Sequence, residues 1–228
     1  MTKIVDIGKK LNTFSKIPGF LSSQHGQVLL FLSLYGPGNK DEGVLEVGSY
    51  LGKSTVHLAT GSVISGRKGV TTIDIFPSIK DWYVGSDGNY HLYGSGYSIS
   101  KSIYKARASL VYEKGRCPSI LEFFLQTIKK MGLENNVTSF KGTSKEFVET
   151  IPSTQKFRLI FIDGDHSYEG VKKDIDFLSD LLIEGGIMCF HDYSPSRGVF
   201  KAVNDHIVAS PKFSNFTYMR NLFIARKS

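Results

Sequence analysis

Two four-residue runs, Leu159-Ile160-Phe161-Ile162 and Ile187-Met188-Cys189-Phe190, contain no polar side chain. A strand wetted on one face alternates apolar and polar residues, so runs like these belong in a sheet covered on both faces. The segments around them alternate strand and helix patterns. Ser22 is placed to cap a helix on which Val28, Leu29, Leu32 and Tyr35 recur at helical spacing, up to Gly36-Pro37-Gly38. Val44 to Val47, Gly69 to Phe76 and Val137 to Lys141 read as strands. Helices are expected from about Ser54 to Thr60, Pro118 to Met131, Lys145 to Ile151 and Val199 to Val208. Ser167 caps a further helix with Val171, Ile175, Leu178 and Leu182 as its stripe, closed by Gly185-Gly186. Phe213 to Met219 and Leu222 to Ala225 form a closing pair of strands. The alternation predicts an α/β fold: a doubly wound, mostly parallel sheet with helices on both faces and an insertion after its second strand. One domain over 1–228 is expected, with an N-terminal helical segment 1–43 and the insertion at 77–117.

Two cysteines, Cys117 and Cys189, are too few for a disulfide framework. The opening Met1 to Asp6 has no apolar h-region, and the longest apolar run is the five residues Val28 to Leu32. Crossing a bilayer takes about 20 apolar residues, so a membrane-free, cytoplasmic protein is expected. The net charge of +7 is uneven, because 118–193 carries eight basic and twelve acidic residues while 194–228 carries six basic and one acidic. Lys201, Lys212, Arg220, Arg226 and Lys227 near the C-terminus leave a nucleic-acid footprint open beside ordinary solvated lysines.

Segment 77–117 breaks the alternation. It holds Trp82 and six of the eleven tyrosines, Tyr83, Tyr90, Tyr93, Tyr97, Tyr104 and Tyr112. It far exceeds the usual strand-to-helix loop of about 2–6 residues. A lid that receives a substrate is one reading; a surface excursion or an oligomer contact, a homodimer included, is the other.

Glu46-Val47-Gly48-Ser49-Tyr50-Leu51-Gly52-Lys53-Ser54 turns from a strand into a helix. A phosphate-cradling P-loop needs glycine where Val47 stands, and a dinucleotide fingerprint needs it at Tyr50, so neither pattern is met. What remains is an acid followed by G-x-x-x-G, a turn that lets backbone approach a ligand. Asp74 ends the next strand, where an acid can accept hydrogen bonds from ribose hydroxyls.

This stretch resembles motif I of class I S-adenosylmethionine-dependent methyltransferases, especially the catechol O-methyltransferase-like branch with its Gly-x-Tyr-x-Gly-x-Ser. Phe161-Ile162-Asp163-Gly164-Asp165-His166-Ser167-Tyr168-Glu169-Gly170, Gly185-Gly186 and His191-Asp192-Tyr193 resemble the type 24 methyltransferase group, related to macrocin-type O-methyltransferases. The likeness runs from about Leu21 to Ala225 and skips 77–117. It implies S-adenosylmethionine as cofactor, with Gly48 and Gly52 along its methionine part, Glu46 and Tyr50 beside it, and Ser54 in the same cofactor set. Asp74 would hold the ribose, while Thr143 and Ser144 would edge the adenine, with Asp163 completing the cofactor set.

Asp163 ends one buried strand and Asp192 follows the next, so both face the crevice beyond the strand ends. Carboxylates with water and substrate oxygens suit Mg²⁺. In related metal-dependent O-methyltransferases aspartates at these two positions bind such an ion, and the third ligand lies where this chain has Tyr193 or His191. Asp165 or His191 is the candidate to complete the set. His166 is the expected general base, with Asp163 as its catalytic partner, because an imidazole titrates near neutrality. His25, His57, His91 and His206 are expected to be structural or surface residues.

Signatures of other chemistries are missing. After the fourth strand there is no [N/D]-P-P-[Y/F] tetrapeptide of base amino methylation, and the order Cys117-Pro118 reverses the Pro-Cys of C5 methylation. There is no G-x-S-x-G elbow and no zinc-spaced Cys/His cluster. The expected activity is therefore methylation of a hydroxyl on a small molecule. The alternatives are a basic nucleic-acid-binding protein or RNA methyltransferase on the same fold, and a donor-binding scaffold without catalysis.

Overall fold

The computed structural model describes residues 8, 11–92, 98–114, 117 and 119–228, with the side chains of 112–114 excepted. Met1 to Asp6, Tyr93, Tyr97 and Pro118 lie outside the described residues, as does the side chain of Tyr112. Helix α1 (Ser23–Tyr35) opens on the expected cap, with the Ser22 hydroxyl accepting from the His25 amide at 3.1 Å. Strand β1 (Gly43–Val47) leads into α2 (Lys53–Ser65), and β2 (Val70–Asp74) follows. The insertion folds into β3 (Trp82–Val84), β4 (Tyr90–Leu92), β5 (Ser98–Ile99) and α3 (Lys101–Ala108). Then come α4 (Ile120–Lys130), β6 (Val137–Lys141), α5 (Ser144–Thr150), β7 (Phe157–Ile162) and α6 (Tyr168–Leu178). The chain closes with β8 (Leu182–Phe190), α7 (Arg197–Val203), β9 (Phe213–Met219) and β10 (Leu222–Lys227).

Seven strands form one sheet in the order β6-β2-β1-β7-β8-β10-β9, and β3-β4-β5 form a separate small sheet. The five strands from β6 to β8 are parallel, while β10 runs antiparallel to β8 and β9. The chain builds outward from β1 to β6, then returns to place β7 on the other side of β1. The strand order reverses between β1 and β7, and crevices at such a reversal hold ligands beyond the carboxyl ends of the strands.

The apolar runs bury both faces. Leu159 and Phe161 pack with Leu29, Val44, Val56 and Phe124 on the side of α1, α2 and α4. Ile160 and Ile162 pack with Val171, Ile175 and Leu178 on the side of α6. Fully burying a side chain such as Phe161 stabilises the fold by roughly 2–3 kcal/mol.

Helix α2 runs to Ser65, past the expected Thr60, and α7 covers Arg197–Val203; the larger difference lies at the glycine pair. Gly185-Gly186 does not close the helix after Ser167; α6 stops at Leu178, and both glycines lie within the nine-residue β8. Leu182 is a strand residue, buried among core side chains of the α6 face. Gly185 has φ 71° at an irregular stretch of the β7–β8 ladder. Paired glycines in a strand mark such a kink as readily as a helix stop.

Candidate active site

The glycine turn is held where the strand order reverses. The Gly48 amide donates to the Ile73 carbonyl at 2.8 Å, and the Asp163 amide to the Val47 carbonyl at 2.8 Å. At Gly48, with φ 85°, a Cβ would lie 2.2 Å from the Asp163 carbonyl oxygen. Only glycine lets the β1 turn pass β7 this closely. Tyr50 takes φ 46°, a conformation costly for a bulky residue, and its amide donates to Asp74 Oδ2 at 2.8 Å. The Phe76 amide donates to Asp74 Oδ1 at 2.7 Å. Burial raises the Asp74 carboxyl, against these amides and the nearby Arg107. Asp74 thus ties the glycine turn to the end of β2.

Glu46 lies beneath the turn with no exposed surface, and Thr55 on α2 donates to its Oε2 at 2.5 Å. Burial raises its pKa to about 7, against the surrounding hydroxyls of Ser54, Thr55 and Thr72. Ser54 is buried at the start of α2. At the end of β6, the Thr143 hydroxyl accepts from the Glu146 amide at 3.3 Å in a capping box. The Ser144 hydroxyl turns inward and donates to Asp174 Oδ1 at 2.5 Å. No sequence signal marks Asp174; burial raises it to about 6, against the Ser144 hydroxyl.

Asp163, His191 and Asp192 meet beside this turn. One ligand-type atom from each falls within 4.8 Å of the others, the only such group among the described residues. His191 Nδ1 lies 3.2 Å from Asp163 Oδ1 and 3.5 Å from Asp192 Oδ1. Asp192 takes φ 53°, which re-aims the chain as it leaves β8. Burial opposes a charged His191, but Asp163 and Asp192 outweigh it and raise the imidazole to about 10. His191 in turn holds Asp192 below the ordinary carboxylate value.

His166 stands at the mouth, half-exposed, with Nε2 3.5 Å from both Asp163 Oδ1 and Asp192 Oδ2. Asp163 is the leading cause that raises its pKa. The Ser196 hydroxyl donates to the His166 carbonyl at 3.0 Å, and Gly198 has no Cβ to strike that carbonyl. The start of α7 therefore fixes the loop that carries His166.

One expectation changes here. Asp165 stands outside the cluster: its oxygens accept from the Ser167 amide and hydroxyl, each at 2.9 Å, in a turn that opens α6. Tyr193 does not supply a ligand, because its ring joins Phe200, Phe223 and Tyr218 and its hydroxyl accepts from Asn204 Nδ2 at 3.0 Å. His25 takes a structural place, in contact with the cluster. It is buried in the first turn of α1, with Nδ1 3.1 Å from His191 Nε2. Burial, then the neighbouring His191, lowers its pKa. His57 fits a structural role as well: its Nδ1 bonds the Lys53 carbonyl at 2.7 Å, and burial lowers it to about 4.

The insertion reaches the glycine turn through Arg107. Its guanidinium lies 5.3 Å from the Phe20 ring centre and 5.4 Å from that of Tyr50. Behind it Tyr90 and Tyr104 stack at 3.6 Å, with Trp82 against Tyr104 at 5.7 Å. No helix among the described residues is long and apolar enough to cross a membrane.

The chain shares its fold with several solved structures. Cofactor-bound Rv0187 from MTB superposes with a TM-score of 0.60 at 16% identity, over 98% of this chain and 88% of that one. An O-methyltransferase from Bacillus cereus in complex with SAH matches with a TM-score of 0.60 at 16% identity, over 96% and 88%. The O-methyltransferase TomG from Streptomyces achromogenes, involved in tomaymycin synthesis and bound to SAM, matches with 0.57 at 14%, over 92% and 82%. No curated protein matches the sequence. A family model described as a methyltransferase domain matches residues 45–193, a span that holds the glycine turn, Asp74, Asp163, His166 and Asp192. The chain belongs to that family, the type 24 group of class I S-adenosylmethionine-dependent methyltransferases.

Proposed function

We propose that the protein transfers the methyl group of S-adenosylmethionine to a hydroxyl of a small molecule, with a divalent cation at Asp163, His191 and Asp192. The observation that carries this reading is the meeting of these three side chains and His166 beside the glycine turn. The cluster fits a cation for a specific reason. His191 Nδ1 is buried, faces two carboxylates and has no hydrogen bond of good geometry. A cation there would take the place of the proton that the two carboxylates hold on this nitrogen, and the freed lone pair would be its ligand.

When bound, the donor supplies an electrophilic methyl on a sulfonium, and the cation supplies a Lewis acid that acidifies a hydroxyl. The chain's own residues supply position and proton transfer. The bare backbone at Gly48 and the Asp74 carboxylate hold the donor at the ends of β1 and β2. His166 Nε2, at the open side of the cluster, takes the acceptor's proton. Asp163 and Asp192 flank that imidazole and stabilise the charge it gains. The aromatic insertion, joined to the turn by Arg107, covers the acceptor side and excludes water. Displacement at a methyl group needs little more than alignment, so positioning is the main contribution of the fold.

Calorimetry with S-adenosylhomocysteine, followed by a methyl-transfer screen over hydroxylated compounds and RNA with and without chelator, tests the reading. Donor-product binding and a chelator-sensitive O-methylated product are expected. Absence of donor binding would refute the enzyme, full activity in chelator would remove the cation, and methylated RNA alone would change the acceptor class.

A further inference from the structure

We infer that His25 holds His191 as the nitrogen ligand of this centre, and that the centre takes a first-row transition ion such as Mn²⁺, Fe²⁺ or Co²⁺ in preference to Mg²⁺. The inference rests on the proposed cation site and names its ion class and a positioning residue.

The donor set makes the selection. Asp163 and Asp192 offer oxygens, which suit Mg²⁺ and transition ions alike. His191 offers an imidazole nitrogen, and imidazole favours transition ions while Mg²⁺ keeps to oxygen. No described side chain restores an all-oxygen set: Asp165 is bound to Ser167, and Tyr193 is turned into an aromatic cluster.

Backbone register fixes the direction of His191. Cys189 faces the α1 side of the sheet and Phe190 the α6 side, so the next residue faces α1 again. There His191 meets His25 at 3.1 Å, the ring planes crossing at 81°. Only one tautomer pair leaves a lone pair on His191 Nδ1: its Nε2–H donates to Nδ1 of His25. A ligating histidine commonly passes its other N–H to a second residue that fixes ring and tautomer, and losing that residue costs about 10–100-fold in metal affinity. His25 occupies that place, brought from the first turn of α1, far from the strands in sequence.

The test uses the intact protein with Mn²⁺ and Mg²⁺ as probes, titrated calorimetrically, and pulsed electron paramagnetic resonance of the Mn²⁺ form. Nitrogen modulation from one imidazole is expected in the wild type and is lost in His191→Asn. That variant, which supplies an amide oxygen, should lower the Mn²⁺-over-Mg²⁺ preference by about tenfold or more. His25→Ala should weaken Mn²⁺ by about 10–100-fold. His25→Asn, which keeps an acceptor near the Nδ1 position, should recover most of the loss. A single cooperative melt and an S-adenosylhomocysteine affinity close to wild type in both His25 variants separate positioning from misfolding. Absence of nitrogen modulation, or the same preference in wild type and His191→Asn, overturns the inference. Failure of both ions to bind overturns it together with the cation site, while donor-product binding judges the methyltransferase reading separately.

Discussion

Replacing Glu46 with Gln should change how stability depends on pH more than it changes stability itself. The side chain has no exposed surface, one oxygen accepts from Thr55, and the other has no hydrogen bond of good geometry, with the Ser54 and Thr72 hydroxyls nearby. An ionised carboxylate there loses its hydration with little in return. A carboxyl moved from 4.5 to about 7 favours the protonated fold over the ionised one by about 3 kcal/mol. The sign follows from proton uptake. Between these values the folded chain holds a proton that the unfolded chain has lost, so stability falls as pH rises. The stabilisation is complete below 4.5 and gone above about 7.

From about pH 5 to about pH 8 the linkage integrates to about 2.5 kcal/mol. Glu46→Gln keeps the shape and removes the titration. Urea unfolding of both proteins at the two pH values should show wild type losing about 2.5 kcal/mol more than the variant. Asp174, raised to about 6, and His57, lowered to about 4, titrate in both proteins and cancel in the comparison. Parallel pH dependences in the two proteins would mean that Glu46 is ionised in the fold near its ordinary value, and the burial argument would fail.

Gly48→Ala places a methyl 2.2 Å from the Asp163 carbonyl oxygen and forces β1 and β7 apart; a loss of about 3 kcal/mol and of donor binding should appear in thermal melts and calorimetry. Asp74→Asn sets an amide N–H against the Tyr50 or Phe76 amide, and S-adenosylhomocysteine affinity should fall about tenfold by calorimetry. Arg158→Ala removes a wholly buried guanidinium from Ser33, Ser62 and the Glu42 carbonyl, and urea unfolding should register a loss of about 3 kcal/mol. Arg107→Ala releases the insertion from Tyr50 and Phe20, a contact worth about 1 kcal/mol, so amide exchange should quicken in 98–108 and stay unchanged in β1 and β7.

Elements whose pattern is local were readable from the chain. The apolar run Leu159 to Ile162 in β7 and the caps at Ser22 and Ser167 depend on neighbours within a few residues, and all stand at the expected places. The limits of local reading show at Gly185-Gly186. A glycine pair after an apolar helical stripe has two meanings, and the choice rests on how β8 matches β7, which lies outside the window of the pattern. Arg158 was missed for a similar reason. Its partners on α1 and α2 are far away in sequence, and their hydroxyls give no sign that they will solvate a buried cation. The insertion has no period to read at all; its order comes from aromatic stacking and the reach of Arg107.

The ionisable cluster divides along the same line, and the division has a cause. Asp163, His166 and Asp192 lie just past strand ends, so the rule that ligands bind beyond the carboxyl edge selects them. Whether the chain after β8 turns His191 or Tyr193 toward the cluster depends on the face each one takes. Alternation along β8 puts Cys189 and His191 toward α1. The left-handed turn at Asp192 then swings Tyr193 to the opposite side, against Phe223. The alternation can be counted from the apolar run Ile187 to Phe190; the swing cannot, because nothing local marks a non-glycine residue at φ 53°. Once His191 faces α1, the identity of the residue it meets depends on where the first turn of that helix crosses the sheet. Packing of α1 against α2 and the sheet sets that crossing, through side chains such as Leu29 and Val56. The pairing of His25 with His191 is therefore a product of the core, and core substitutions that shift α1 should disturb the site without touching any residue in it.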